Sequence, residues 1–246
     1  MSIFLEKEHV QFQQAYVLHQ KPYRNTSAII DVLTEDYGRI SLVAKGAKKM
    51  KSPFKGSLQP FQRLAISWVR RSELGTLTHA EIIDCQHIPK GEALFAAMYL
   101  NELLIRVLIK TDAPLELFQP YHQALISLYS KPLLSTLRIF EYQLLQALGF
   151  EMQLNVDAES EQINPELKYK YIPEHGFVIS NEKNSFLFAG KDLIAFSNED
   201  FSEKSTQQTS QILMRIGLKR LIGEEPLKSR ELFKSYKEQL SYSPGG

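Results

Sequence analysis

The spacing of apolar residues changes near Pro89, and no other feature of the sequence constrains the fold as strongly. Before Pro89, short segments alternate apolar with polar residues and are separated by turn residues such as Asp36 and Gly38. Alternation with a period of two is typical of strands that bury one face. After Pro89, apolar residues recur at intervals of three and four, which indicates helices. The sequence therefore predicts a β domain over 1–85 and a helical domain over 86–246.

The alternating segments predict a small β-barrel. About five short strands fit before residue 85, and closing them into a barrel removes free strand edges. In RLAISWVRR the alternation places Leu64, Ile66 and Trp68 on one face, which predicts that the Trp68 ring lies in the core. The stretch GAKKMKSPFKGSLQPF contains two Pro and two Gly, and we expect it to form a mobile loop.

The residues after Pro89 predict five helices and one small β region, so the predicted fold class is α+β. The helical segments are GEALFAAMYLNELLIRVLIK, LELFQPYHQALISLYS, LLSTLRIFEYQLLQALGF, TQQTSQILMRIGLKRLIG and PLKSRELFKSYKEQL. We expect the second to be interrupted near Pro120, because proline lacks a backbone N–H. Gly149 and Gly223 are expected to end the third and the fourth. Residues 171–196 predict a small hairpin region.

The charges are segregated along the chain, although the formal net charge is only +1. Between Tyr37 and Ser72 there are nine basic residues and no acidic residue. The other 20 of the 29 Lys and Arg residues are outnumbered by the 28 Asp and Glu residues, all of which lie elsewhere. This pattern predicts a basic patch on one domain and an acidic remainder.

The basic segment is the strongest functional signal in the sequence. Lysines on a loop can follow the phosphates of an irregular nucleic-acid backbone, and aromatic rings offer surfaces for base stacking. The candidate phosphate contacts are Arg24, Arg39, Lys45, Lys48, Lys49, Lys51, Lys55, Arg70 and Arg71, and the interleaved rings are Tyr23, Tyr37, Phe54 and Phe61. A solvated loop over core aromatic residues is the alternative. That alternative gives no reason for five lysines without one acidic neighbour.

The sequence predicts neither an enzyme nor a bound cofactor. It contains no Gly-x-Gly-x-x-Gly, P-loop or Gly-x-Ser-x-Gly motif and no His-x-x-x-His pair. His79, Glu81, Asp84, Cys85 and His87 resemble a set of metal ligands only in composition. Their spacing does not bring the side chains together as a metal site requires. We therefore expect no catalytic residue and no metal ligand.

The single cysteine, Cys85, excludes an internal disulfide framework and a zinc site built on several thiolates. No apolar run approaches the length of a membrane span, and the charged first residues do not form a signal peptide. The sequence therefore predicts no membrane segment and a cytoplasmic location.

The chain resembles the RecO family of bacterial recombination mediators in five stretches that occur in the same order. They are GRISLVAKGAKKMKSPFKGSLQPFQRLAISW, ELGTLTHAE, YLNELLIRVL, LRIFEYQLLQALGF and EPLKSRELF. The resemblance implies an N-terminal OB-fold and a helical C-terminal domain. It also implies binding of single- and double-stranded DNA and annealing of complementary strands. With the partner RecR, such a protein helps to load RecA onto DNA coated by the single-stranded DNA-binding protein SSB in gap repair, which implies a nucleoid-associated location.

The resemblance also implies a receptor for the SSB C-terminal tail in the helical domain. Because that tail ends in acidic and apolar residues with a free carboxylate, its receptor needs an apolar groove with a cation at the lip. Arg138 occupies the matching position for the carboxylate, and the candidates for the apolar wall are Leu100, Leu103 and Leu104. The alternative for Arg138 is an ion pair with Glu141 on the same helix.

One segment departs from the family pattern. Many members of the family carry a four-cysteine zinc module in the second half of the chain, whereas residues 150–177 contain no cysteine. We therefore expect no zinc there, and the polar stretch 151–170 is predicted to be a metal-free remnant or partly disordered.

Two other functions stay open at this point. An OB-fold module that binds single-stranded RNA would use the same lysines and rings, with added contacts to ribose hydroxyl groups. A protein adaptor would instead bind an acidic partner through its lysines.

Overall fold

A computed structural model describes most of the chain. The described ranges are 8–54, 56–84, 89–108, 114–182, 186–223 and 225–242. Three residues that the sequence analysis considered, Lys55, Cys85 and His87, lie outside them.

Five strands form a closed barrel, which confirms the predicted OB-fold class. They are β1 (Glu8–Tyr23), β2 (Ser27–Thr34), β3 (Gly38–Ala44), β4 (Arg63–Arg70) and β5 (Leu74–Asp84). The strand order is β1-β2-β3-β5-β4, and pairing of β1 with β4 completes the ring. All neighbours are antiparallel except β3 and β5. This is the five-stranded Greek-key arrangement of an OB-fold.

Alternate side chains of the strands fill the barrel, as their sequence pattern predicts. The core contains Val17, Ile30, Val32, Ile40, Leu42, Leu64, Ile66 and Leu77. Trp68 is 1% exposed and packs its ring edge-on against Tyr37, with 5.1 Å between the ring centroids. The core position predicted for Trp68 is therefore confirmed. Each aliphatic side chain of this size contributes about 1.5–3 kcal/mol when it is fully buried.

The chain divides into two compact units at positions that differ from the predicted ones. The first unit contains Met1–Ser130 and Glu224–Gly246, and the second contains Lys131–Gly223. The first two helices and the last helix are thereby grouped with the barrel. The sequence pattern marks the change from strands to helices at Pro89, but it does not show which helices pack on the strands.

In the first unit, helices cover the outer face of β1, β2 and β3. These helices are α1 (Glu92–Val107) and α2 (Phe118–Ser130), and a 3-10 turn (Leu115–Leu117) leads into α2. The Asn101 side chain donates to the Leu18 carbonyl at 2.9 Å, and the Tyr16 hydroxyl lies 2.6 Å from Nδ1 of His122. Every residue of β3 is buried, because Ile40 and Leu42 belong to the barrel core while Arg39 contacts the end of α1.

The predicted interruption near Pro120 is wrong. Pro120 is the third residue of α2, which continues to Ser130. Backbone N–H groups in the first turn of a helix have no intrahelical partner, so proline costs no hydrogen bond there. The segment that precedes Pro120 forms the 3-10 turn instead.

Arg39 joins the barrel to the end of α1. Its Nη1 donates to the carbonyl oxygens of Ile105 and Leu108, at 2.6 and 2.7 Å, and its Nη2 lies 3.5 Å from the Asp31 carboxylate. The last carbonyls of a helix lack intrahelical partners and carry partial negative charge, so a guanidinium group stabilises them. Asp31 accepts a further hydrogen bond from Ser41. Arg39 and Asp31 are each 6% exposed, and their ion pair is therefore structural.

The last helix, α6 (Lys228–Tyr242), begins on a carboxylate that another helix supplies. Glu102 of α1 accepts from the backbone N–H groups of Lys228 and Ser229, at 2.9 and 2.8 Å, and from the Ser229 hydroxyl at 2.7 Å. Arg106 donates to the carbonyl oxygens of Glu225 and Pro226, just before the helix. The carboxylate of Glu102 thus accepts hydrogen bonds from the first backbone N–H groups of α6, which is the role that an N-cap side chain usually has.

Replacing Glu102 with Gln should lower the free energy of unfolding at pH 7 by about 0.5–2 kcal/mol, the usual effect of losing an N-cap. Burial raises the pKa of the Glu102 carboxyl, but the hydrogen bonds from Ser229 and Lys228 and the charge of Arg106 outweigh it, so the net pKa is lowered. A lowered pKa stabilises the fold above the unfolded-state pKa, and this contribution is lost as the pH falls through the folded-state value.

Urea unfolding at pH 7 and pH 4 tests this prediction. The difference in free energy of unfolding between wild type and Glu102→Gln should be smaller at pH 4 than at pH 7. The control Glu116→Gln, at an exposed position, should have the free energy of unfolding of wild type at both pH values. A difference that does not change with pH would mean that the charge of Glu102 does not stabilise α6.

The second unit packs three helices with a small antiparallel sheet. Its elements are α3 (Leu133–Ala147), β6 (Lys168–Ile172), β7 (Gly176–Ile179), β8 (Phe188–Ala189), α4 (Gly190–Ser197) and α5 (Lys204–Ile222), with strand order β7-β6-β8. Gly149 and Gly223 have positive φ angles just beyond α3 and α5, which confirms both predicted helix ends.

The predicted hairpin over 171–196 is wrong in its last seven residues. Residues Gly190–Ser197 form α4, which starts directly after β8. A Cβ on Gly190 would lie 1.9 Å from the Asn164 carbonyl oxygen, so only glycine allows this close approach. The aromatic and apolar residues of FLFAG favour a strand in the sequence. In the structure, Gly190 packs against residues 164 and 165, and the strand ends at Ala189.

The segment 151–170, in the region of the family's zinc module, is folded around apolar residues and backbone hydrogen bonds. Met152, Leu154 and Ile163 are each no more than 5% exposed. The backbone N–H of Ala158 donates to Phe177 at 2.8 Å, and that of Ile163 donates to Asn155 at 2.9 Å. These contacts close the segment without cysteine side chains.

Candidate nucleic-acid interface

The loop between β3 and β4 presents a cluster of exposed lysines. We call residues 45–62 the basic loop. The side chains of Lys45, Lys48, Lys49 and Lys51 are exposed, and Met50 among them is 91% exposed. Within the described part of the chain, none of these four lysines forms an ion pair. Their charges are therefore available to an anionic ligand.

Two apolar residues attach the basic loop to the barrel, although the predicted mobility of its exposed residues stays a prediction. Phe54 and Leu58 are 7% and 4% exposed and belong to the barrel core. Consecutive turns are closed by the N–H groups of Lys49 and Ser52, which donate to Gly46 and Lys49. The lysines therefore lie on a segment whose backbone is tied to the barrel at two buried residues.

One backbone hydrogen bond joins the basic loop to the turn between β1 and β2. The N–H of Lys48 donates to the Thr26 carbonyl at 2.9 Å. Arg24 in the same turn is exposed, and its guanidinium carbon lies 5.2 Å from the centroid of the Tyr23 ring. Four lysines, one arginine and a half-exposed aromatic ring thus lie on two adjoining turns. This is the combination of charges and ring surface that single-stranded nucleic acids bind.

The covering helices determine which part of the barrel can serve as an interface. OB-folds bind oligonucleotides on the face of strands 2 and 3 and on the loops that adjoin it. Here that face is occupied by the contacts of Arg39 and Asn101 with α1 and β1. The turns remain exposed, and the candidate interface is therefore built on them.

Other predicted phosphate contacts lie in different surroundings. Arg71 is exposed in the turn between β4 and β5. Arg70 is half-buried and lies 2.8 Å from the Glu8 carboxylate. Arg39 is buried, and its guanidinium is used by the end of α1, so we leave it out of the candidate interface. Lys55 lies outside the described ranges.

The residues suggested for the SSB tail are buried. Leu100, Leu103 and Leu104 are 0% exposed on α1 in the first unit. Arg138 lies on α3 in the second unit, is 9% exposed and has its Nη1 2.9 Å from the Glu141 carboxylate. The structure thus contains the ion pair that was the alternative for Arg138. The receptor role of these four residues stays a prediction.

Sequence reasoning missed the residues that hold the basic loop in place. Phe54 had been considered a stacking ring, and the structure buries it instead. Leu58 and Thr26 had no role in the interpretation. The sequence does contain a signal for this attachment, namely the apolar residues Phe54 and Leu58 within a lysine-rich stretch. Large apolar side chains in a loop stabilise a protein only when they are buried, so their presence indicates contact with the core.

The structure also bears on the search for a metal site. His79 and Glu81 are both exposed, with 3.6 Å between Nε2 and the carboxylate. Within the described ranges, no three His, Cys, Asp or Glu side chains come together as metal ligands. None of the described helices is long and apolar enough to cross a membrane.

Comparison with known families decides the relationship. A model described as Recombination protein O N terminal matches residues 10–86, and one described as Recombination protein O C terminal matches residues 89–231. The chain belongs to the RecO family. The resemblance inferred from the five sequence stretches is thereby confirmed.

Proteins named DNA repair protein RecO are similar to the chain over nearly its whole length. One from Coxiella burnetii is 42% identical over 229 residues, covering 92% of this chain and 98% of that protein. One from Glaesserella parasuis is 41% identical over 228 residues, covering 92% and 95%. One from Actinobacillus pleuropneumoniae is 40% identical over 227 residues, covering 91% and 95%. The basic loop thus belongs to a member of a DNA repair and recombination family.

Proposed function

We propose that the chain is a recombination mediator that binds single- and double-stranded DNA and anneals complementary strands. With RecR, it would help to load RecA onto SSB-coated DNA during gap repair. The observation that carries the proposal is the set of four exposed lysines on a loop of an OB barrel in a RecO-family chain, none of which is ion-paired with a carboxylate in the described ranges.

Annealing requires a surface that lowers the repulsion between two phosphate backbones. Lysines that neutralise phosphates release counterions from the first strand, and the strand's charge density falls where the second strand must approach. Burial of Phe54 and Leu58 holds the basic loop against the barrel, so its lysines present their charges on the same side of the domain. No covalent chemistry is needed for this step.

Recruitment by SSB would supply a second, weaker contact. A protein tethered to an SSB tail experiences a high effective concentration of the coated strand, so two weak contacts act together. Arg138 could hold the terminal carboxylate only if its guanidinium moved away from Glu141 or contacted both groups. The Arg138 contact is therefore the step of the proposed mechanism that needs a side-chain rearrangement.

Annealing of SSB-coated complementary oligonucleotides tests the proposed function. We expect the wild-type chain to accelerate annealing at least about tenfold over the uncatalysed reaction, because tethering of two sites commonly raises apparent affinity 10²-fold or more. Fluorescence transfer between labelled strands measures the rate, and a salt series shows whether the phosphate contacts carry it.

Two results would argue against the proposal. If uncoated strands are not bound, the lysines of the basic loop do not hold DNA. If RNA of the same sequence is bound more tightly than DNA and SSB has no effect, an RNA-binding OB module is the better description.

A further inference from the structure

The basic loop ends at the rim of a cavity in the first unit. The cavity has a volume of about 240 Å³ and is lined by residues of β1, α2, the start of β4 and the end of β5. Phe61, the last residue but one of the basic loop, has a φ angle of +69° and forms part of the lining. A positive φ is costly for a residue with a large side chain, so tertiary contacts must hold the ring at this position.

The walls of the cavity provide flat apolar surfaces that solvent can reach. Phe61 is half-buried, Tyr129 is 40% exposed and Ile126 is 47% exposed. Burial raises the pKa of the Tyr129 hydroxyl to about 12, so this ring is neutral at physiological pH. Neutral aromatic rings at the edge of a cavity are surfaces on which a base can stack.

The inner part of the cavity carries a donor and an acceptor side by side. Arg63 and Asp84 are opposite each other in the pairing of β4 with β5, and both line the cavity. Their pairing brings a cation and a carboxylate to the same side of the cavity.

Tyr16 and His122, the other polar pair in the lining, are both neutral at pH 7. Burial raises the pKa of the Tyr16 hydroxyl to about 12, and burial together with the charge of Arg63 lowers the pKa of His122. The Tyr16 hydroxyl and Nδ1 of His122 share a hydrogen bond of 2.6 Å, which uses the polar atoms that face each other in this pair. Arg63 and Asp84 are the two ionic groups of the cavity lining.

We propose that this cavity holds one unstacked base of the single strand that the basic loop binds. The inference rests on the proposed function and adds a base site to its phosphate site. An arginine donates to the acceptors of a base edge, and a carboxylate accepts from an exocyclic amino group. Guanine, adenine and cytosine each offer both kinds of group, whereas thymine has no amino group, so the pair of Arg63 and Asp84 favours such a base, guanine included, over thymine.

The distance between the two sites suits one strand. Tyr16 in the cavity and Tyr23 beside the basic turns are seven residues apart on β1, so the distance between them is at most roughly 23 Å at 3.3 Å per residue. A stacked strand rises about 3.4 Å per nucleotide, so about seven nucleotides cover this distance. That number lies within the usual site size of one OB-fold.

Comparing a normal strand with one that lacks bases distinguishes binding at the base site from binding at the phosphate site. Binding of a dT 12-mer and of a fully abasic 12-mer would be measured by fluorescence anisotropy for wild type, Tyr129→Ala and the control Phe186→Ala, whose ring is 57% exposed in the second unit. Tyr129→Ala should weaken binding of dT 12-mer about tenfold and leave abasic binding unchanged. Phe186→Ala should bind both strands like wild type.

The preference for guanine over thymine has its own comparison. A dT 12-mer with one dG should bind wild type about fivefold more tightly than the all-dT strand, and Asp84→Asn should abolish the difference. Equal weakening on dT and abasic strands by Tyr129→Ala, or no weakening on either, would overturn the base site. Failure of wild type to bind any strand would instead overturn the proposed function.

Discussion

Replacing Lys48, Lys49 and Lys51 together with alanine should weaken binding of single-stranded DNA about 100-fold at 0.1 M salt. Each neutralised phosphate contributes about 0.7 to the slope of log K against log salt, so losing three contacts should reduce the magnitude of the slope by about 2. All three side chains are exposed, and their removal deletes no buried contact. Fluorescence anisotropy between 50 and 400 mM salt measures both quantities.

A matched triple variant separates the position of the charges from their number. Lys168, Lys191 and Lys204 are exposed lysines of the second unit, and their replacement by alanine removes the same total charge. This control should keep the wild-type slope and lose less than about threefold in affinity, because these lysines are not part of the basic loop and exposed charges that contact no phosphate are screened. Equal losses in the two variants would show that overall charge, rather than the basic loop, holds the strand.

Replacing Arg39 with Met should lower the free energy of unfolding by about 3–5 kcal/mol. The substitution leaves the buried Asp31 without its cation and removes the donors from the Ile105 and Leu108 carbonyls at the end of α1. Breaking one partner of a buried ion pair costs that much because the other charge stays buried and uncompensated. Urea unfolding followed by circular dichroism measures the change.

The control for this prediction is Arg70→Met. Arg70 is also paired with a carboxylate, that of Glu8, but the pair is partly exposed, and its loss should cost less than about 1 kcal/mol. A stable Arg39→Met variant with weakened DNA binding would reverse our placement of Arg39 and return it to the interface. The double variant Arg39→Met/Asp31→Asn should recover part of the lost stability, because no unpaired charge then remains buried.

Local patterns were sufficient where a residue's role depends on its near neighbours. The alternation around Trp68 predicted its burial, and Gly149 and Gly223 predicted two helix ends, since a positive φ angle is a property of a few consecutive residues. The same reasoning failed at Pro120 and at residues 190–196. In both places, the error concerns the residue at which a helix begins. The sequence pattern locates such a boundary only to within a few residues, and tertiary contacts determine it.

The positive charge of the candidate interface could be predicted from the sequence, but the arrangement of its residues in space could not. The absence of acidic residues around Lys48 can be counted in the sequence, and exposure of that side chain follows from the cost of burying an unpaired charge. Burial of Phe54 depends on the space that the closed barrel leaves for its ring. The cavity beside Phe61 depends on α2 packing over β1 and β4, which are far from it along the chain.

Local sequence is sufficient to predict the β-barrel, the helical character of the residues after Pro89 and the excess of positive charge between Tyr37 and Ser72. Each of these features is a periodicity or a sum over neighbouring residues, so it does not depend on contacts with remote parts of the chain. The contrast between Arg39, which binds the end of a helix, and Lys48, which faces solvent, depends on tertiary packing. Both are cations of one basic segment, and their roles differ because α1 covers the outer face of β3 and leaves the adjoining turn open.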